Sequence, residues 1–129
     1  MTYYLLDTGI VIRHLRGRKP IVHLVRGLSR ADRLAVATIP CLEIYAGLRQ
    51  NELYLTRKLL SRFVNLPLDM LIAERAGFLV AEGVAVNQPI SVPDAIIAAT
   101  AIRHNLTLIT LNHKDFSPII HLRLYPIEQ

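Results

Sequence analysis

Tryptophan is absent from this 129-residue chain, cysteine occurs once, and ten acids face fifteen basic residues. A single cysteine makes no internal disulfide, and no basic-then-apolar leader opens the sequence, so a reducing, cytoplasmic setting is expected. Each long apolar run is interrupted by Asp7, by Glu43 or by the pair Pro93 and Asp94. None approaches the roughly 20 residues that a bilayer span requires, and no membrane span is expected. The five histidines (His14, His23, His104, His113, His121) show no metal-ligand spacing, which argues against zinc and reads them as surface or capping groups. Phosphate-cradling glycine loops of the G-x-x-x-x-G-K-[ST] and G-x-G-x-x-G types are missing, as is a G-x-S-x-G elbow. Cys41 has no nearby histidine in sequence and reads as a small core hydrophobe.

What is present is apolar and unevenly charged. The apolar fraction is 52%, high for a small soluble protein, which leaves apolar surface for a partner subunit. The length fits one domain, 1–129, able to bury roughly two thirds of its unfolded surface. Residues 1–33 hold Arg13, Arg16, Arg18, Lys19, Arg26, Arg30 and Arg33 against Asp7 and Asp32, whereas residues 34–129 hold eight basic and eight acidic side chains. The whole net charge of +5 therefore sits in the first quarter. Twelve of the fifteen basic residues are Arg, whose planar fork matches phosphate oxygens, so a nucleic acid or another phosphate partner is indicated beside the simpler reading of a solvated basic face.

Short apolar runs alternate with helical patterns. YYLL (3–6), RLAVA (33–37), FVNLPL (63–68) and LTLIT (106–110) read as strands, and IIHLRLYP (119–126) as a further edge strand. Helices are expected over 9–16 with Gly17 as stop, over 20–29 opened by Pro20, and over 70–85. A helical hairpin is expected over 40–63, entered at Thr38 and Pro40, with Asn51 capping its second arm. Ser91 should cap a helix that Asn105 ends. This alternation predicts an α/β fold with a mainly parallel sheet of four to five strands flanked by helices, in which ligands sit at the carboxyl ends of strands.

Most acids stand in polar, helical-surface or terminal contexts: Asp32, Asp69, Glu52, Glu74, Glu82 and Glu128. Asp7 follows the first strand, Glu43 lies in IPCLEIYAGL without a basic neighbour, Asp94 lies in ISVPDAIIAAT, and Asp115 falls in TLNHKDF. Each has an ordinary reading: Asp7 as a helix cap, Asp94 as the third position of a capping box begun by Ser91, Glu43 as a half-exposed helical residue, Asp115 as a turn residue beside Asn112. Converging in one cleft, however, such carboxylates repel, and a hard divalent cation removes the difficulty. Oxygen ligands alone point to Mg²⁺ or Mn²⁺ and to phosphodiester hydrolysis.

LLDTGIVI with Asp7, LEIYAGL with Glu43, PDAIIAATAIRHNLTLIT with Asp94 and TLNHKDF with Asp115 resemble, in order and spacing, the PIN domain of VapC-type toxins, the ribonuclease halves of toxin–antitoxin pairs. The similarity spans nearly the whole chain and is most specific from Pro93 to Phe116. It implies a PIN-like three-layer fold and a Mg²⁺- or Mn²⁺-dependent endoribonuclease acting on RNA. It further implies that Asp7, Glu43, Asp94 and Asp115 are acidic metal ligands, with Thr8, Thr110 and Asn112 supporting them. Arg13, Arg16, Arg18 and Lys19 would steer RNA toward the cleft. A homodimer and a small VapB-type antitoxin laid across the cleft and hairpin are also implied, with Leu48, Leu53, Tyr54 and Leu60 as candidate contacts. Gly9 departs from the pattern, since relatives commonly carry Asn or Ser there. The alternatives are a phosphatase or phosphotransfer protein of another α/β class using Asp7 as nucleophile, which Gly9 disfavours by removing a second aspartate two residues on, and a non-catalytic PIN-like binding module.

Overall fold

The computed structural model describes residues 1–127; Glu128, read above as a terminal acid, lies outside them. The elements run β1 (Tyr4–Leu6), α1 (Thr8–Leu15), α2 (Lys19–Ser29), β2 (Ala35–Ala37), α3 (Thr38–Ala46), α4 (Leu53–Leu60), β3 (Val64–Leu66), α5 (Met70–Ala85), α6 (Val92–Arg103), β4 (Thr107–Ile109), α7 (His113–Phe116) and β5 (Arg123–Leu124). Every strand pair is parallel, and the sheet order is β3-β2-β1-β4-β5. The expected architecture is present, with strands shorter than their apolar runs; the tail contributes only two residues to the edge.

Side-chain alternation along each strand splits the core into two layers. Leu6, Val36 and Ile109 face a layer built from α1, α2, α3 and α4. Leu5, Ala35 and Leu108 face the other way, onto Ile97, Ala98 and Ala101 of α6 and onto Phe116. Helix α6 is buried from Ala95 to Ala101, and its alanines keep it close to both the sheet and α5. At least three of the local signals for caps and stops are realised. Gly17 has φ +71°, Asn105 has φ 57°, and Ser91 Oγ accepts from the Asp94 amide at 3.2 Å.

Helix α3 begins at Thr38 as expected, and the Thr38 hydroxyl donates to Asn65 Oδ1 at 2.9 Å, tying α3 to β3. One expected cap fails. Asn51 does not cap α4; Glu52 stands at that position, and its carboxylate instead accepts from the Arg49 amide at 2.8 Å and pairs with Arg16 at 3.2 Å. Thr38 and Glu52 thus find partners across the fold, which local spacing does not reveal.

In α5, Gly83 has a steric role. A Cβ there would stand 2.6 Å from the Gln88 carbonyl oxygen, and the Gln88 amide donates to Gly83 O at 2.8 Å. This close approach pins the turn that delivers Ser91 and the start of α6.

Candidate active site

The strand order reverses at β1, with β2 on one side and β4 on the other, so the carboxyl ends of β1 and β4 bound the crevice where ligands of open parallel sheets bind. Asp7 leaves β1 there and Thr110 leaves β4. The Asp7 amide donates to Ile109 O at 3.0 Å, extending the β1–β4 ladder by one step and fixing the backbone from which the carboxylate projects.

Both oxygens of Asp7 are engaged. Oδ1 accepts from the Thr8 amide at 2.8 Å, and Oδ2 accepts from the Thr110 hydroxyl at 2.7 Å. Its capping of α1 and its place in the cleft are thus the same fact, because the amino end of α1 favours a negative charge. Thr110 is fully buried, and its Oγ1 also accepts from the Asn112 amide at 2.9 Å. Asn112 Nδ2 in turn donates to Asp115 Oδ2 at 2.7 Å. One relay, Asp7–Thr110–Asn112–Asp115, therefore spans the sheet end and positions two acids. Glu43 is exposed on α3, as its ordinary reading allowed, and its Oε1 accepts from the Thr8 hydroxyl at 3.3 Å. Thr8 so links Glu43 to the Asp7 corner.

Asp94 stands at the first turn of α6. Burial pushes its carboxyl above the usual carboxylate range; the Asp7 charge adds to this, a hydrogen bond from Ser91 opposes it, and the charges of Asp115 and Glu43 add again. The other three acids named from the sequence thus all act on Asp94. The donors are oxygens only, which suits a hard cation. Among the described residues no three His, Cys, Asp or Glu side chains form a ready-made ion cage. The set fits Mg²⁺ or Mn²⁺, which keep several waters and complete their sphere with substrate phosphate, and does not fit a fully protein-ligated ion.

The supporting residues Thr8, Thr110 and Asn112 are all at the acids. The four basic residues divide: Arg13 Nη1 donates to Gly9 O at 3.2 Å, and with Arg18 it borders a hollow of about 500 Å³ beside Leu111, next to the Thr110 relay. Arg16 is taken up by Glu52, and Lys19 borders another hollow with His14 and Arg26. Gly9 has a use: a Cβ there would lie 2.9 Å from Arg13 Nη1, in space the guanidinium occupies.

Two histidines depart from the surface reading. His113, between Asn112 and Asp115, has a buried Nε2 with no hydrogen-bond partner among the described residues. His14 is part-buried, and burial with the charges of Arg26 and Arg62 lowers its pKa. Scattered spacing gave no sign of either. Cys41 is buried, burial pushes its thiol up, and it behaves as the inert core residue expected. Of the hairpin residues expected at a partner surface, Tyr54 and Leu53 are exposed, whereas Leu48 and Leu60 pack against the core.

The PIN domain model matches residues 4–119. A ribonuclease VapC2 of Haemophilus influenzae is 31% identical over 128 residues, covering 95% of this chain and 96% of that one. A VapBC2 structure from Rickettsia felis, bound to a DNA fragment from its promoter, superposes with TM-score 0.85 at 25% identity over 99% of this chain and 100% of that one. A toxin–antitoxin complex from Klebsiella pneumoniae gives TM-score 0.77 at 34% identity over 96% and 99% of the two chains.

Proposed function

The chain belongs to the PIN-domain family, and from that premise we propose that it is a Mg²⁺- or Mn²⁺-dependent endoribonuclease, the toxin of a toxin–antitoxin pair. The observation that supports this reading is that the charges of Asp7, Asp115 and Glu43 all act on Asp94. Asp7, Glu43, Asp94 and Asp115 would hold the cation. When bound, it supplies a Lewis acid for the phosphoryl oxygens and an acidified water for in-line attack.

The chain's own residues do the positioning. Thr110 and the Thr8 amide hold the Asp7 carboxylate with its lone pairs directed, so little reorganisation accompanies the reaction. Asn112 holds Asp115, and the Thr8 hydroxyl holds Glu43. Burial and the Asp7 charge raise the Asp94 carboxyl, a cost that a bound cation would relieve. Arg13 and Arg18 meet RNA phosphates at the rim, with Lys19 and Arg16 beyond them.

A VapB-type antitoxin is the proposed partner, seated on the exposed Leu53 and Tyr54 of the hairpin. A homodimer, a single domain over 1–129 and a cytoplasmic setting complete the reading. No helix among the described residues is long and apolar enough to cross a membrane. Purified protein free of antitoxin should cleave RNA with Mg²⁺ or Mn²⁺ and stop with EDTA, Asp7→Asn or Asp94→Asn. Equal cleavage by wild type and both variants overturns the metal site, and phosphate release from a small monoester instead favours a phosphatase.

A further inference from the structure

Three basic residues of the charge-rich first quarter, Arg26, Arg30 and Arg33, have no part in the site just described. The fold gathers them with Arg62 of the α4–β3 turn around one cavity of about 500 Å³. Its floor is core: Val25, Leu34, Leu59 and Phe63. Leu34 directly precedes β2 and Phe63 directly precedes β3, so the cavity lies at the amino ends of the strands, opposite the carboxylates.

The charge there is unbalanced. Four guanidinium groups line the cavity against the single carboxylate of Asp32, and none is ion-paired within 4.0 Å among the described residues. The geometry is partly built, since Arg33 Nε donates to the Arg62 carbonyl at 3.4 Å and bridges the two walls. His14, in the same wall, is held toward its neutral form by burial and by Arg26 and Arg62, a field that a bound anion would relieve. Unpaired Arg forks around a concave surface are suited to phosphate oxygens.

Position selects the ligand. A neighbouring hollow lined by Lys19 and His23 shares His14 and Arg26 with this cavity, and beyond it Arg13 and Arg18 border the hollow beside the carboxylate relay. Basic side chains therefore run from the cleft rim across α1 and α2 to the far end of the sheet. A polyanion with phosphates at regular intervals matches such a run, whereas a single small anion would use only one end of it. We infer that the cavity formed by Arg26, Arg30, Arg33 and Arg62 is a second phosphate-binding site that anchors the RNA backbone remote from the scissile bond. The inference rests on the ribonuclease reading.

The test uses full-length protein, free of antitoxin, carrying Asp7→Asn so that RNA is bound but not cut. Anisotropy of a fluorescein-labelled single-stranded RNA is measured across a salt series for this background, for added Arg26→Gln/Arg30→Gln, for added Arg62→Gln, and for a control pair, Arg75→Gln/Arg103→Gln, from the α5–α6 face. The cavity pair should weaken binding roughly tenfold and lower the log–log salt slope by about 0.7 for each phosphate no longer neutralised. Arg62→Gln should act in the same direction, and the control pair should change little. In the cleaving wild-type background, Arg26→Gln/Arg30→Gln should raise KM and leave kcat in place. An equal weakening by the cavity and control pairs would mean non-specific charge alone and overturn the inference. Unchanged affinity and slope also overturn it, and that is the outcome expected if an acidic protein segment fills the cavity. Absence of RNA binding by the background protein removes the ribonuclease premise, while cleaving wild type with indifferent cavity variants removes only the second site.

Discussion

The Thr110 hydroxyl donates to Asp7 Oδ2 at 2.7 Å, joining residues 103 positions apart in the chain and closing the ends of β1 and β4 onto one another. Because Thr110 is fully buried and its oxygen also accepts from the Asn112 amide, one atom aligns two acids. Thr110→Val keeps the shape and removes that atom. Cleavage should fall about 10- to 100-fold, the range typical of residues that orient metal ligands, while Thr110→Ser retains most of it. Single-turnover rates at saturating Mg²⁺ check this, and a Val variant as fast as wild type would deny Thr110 a positioning role.

Asp94→Asn should move stability and activity in opposite directions. The folded state holds the Asp94 carboxyl above its ordinary 3.8, so above that pH the folded chain binds the extra proton and stability falls as pH rises through the window. At neutral pH and without divalent cation the charge is a cost, to which burial and the Asp7 charge contribute most. The Asn variant should therefore show a higher urea midpoint than wild type in EDTA, lack the extra stability that Mn²⁺ confers on wild type, and fail to cleave RNA. A lower midpoint in EDTA would contradict the repulsion described.

His14 makes an acid-side prediction of the reverse sign. In the unfolded chain it takes up a proton as pH falls through its ordinary 6.5, whereas the folded chain resists protonation until lower pH. Between the two the unfolded state binds more protons, so stability drops as pH falls below 6.5. His14→Gln should flatten that decline, measured as urea midpoints from about pH 7 to about pH 5. Parallel curves for variant and wild type would show that this histidine is not held neutral.

Gly9→Ala tests the use of the missing side chain. The new Cβ meets only the far end of a flexible side chain, Arg13 Nη1 at 2.9 Å, so the helix should tolerate it and gain up to about 1 kcal/mol of helix propensity. Arg13 must then leave the Gly9 carbonyl. A raised Tm with a changed KM for RNA is expected; a raised Tm with an unaltered KM would separate Arg13 from substrate.

Much of the fold is legible in the sequence where physics is local. Strand and helix alternation, the Gly17 and Asn105 stops and the Ser91 cap depend on neighbours within a few positions, and the structure has them where spacing puts them. The four acids are marked by their surroundings in the sequence. Their ordinary readings coexist with the proposed site: Asp7 caps α1 at the carboxyl end of β1, and Ser91 holds the Asp94 end of α6. What sequence does not disclose is long-range pairing. Glu52 looks like plain surface and holds Arg16, Thr38 opens its helix as expected but also binds Asn65, and His113 looks exposed and buries a nitrogen. The Arg26–Arg30–Arg33 excess is visible as charge, but its meeting with Arg62 depends on β2 and β3 being neighbours.

Gly83 shows how widely the means of silencing such an enzyme are spread. It carries no chemistry, yet any side chain there collides with the Gln88 carbonyl and re-aims the turn from which Ser91 and Asp94 are presented. On the proposed reading, the activity has more points of failure than the codons of the four candidate acids. A substitution at a structurally silent position such as this one reaches the proposed site without touching any of its acids.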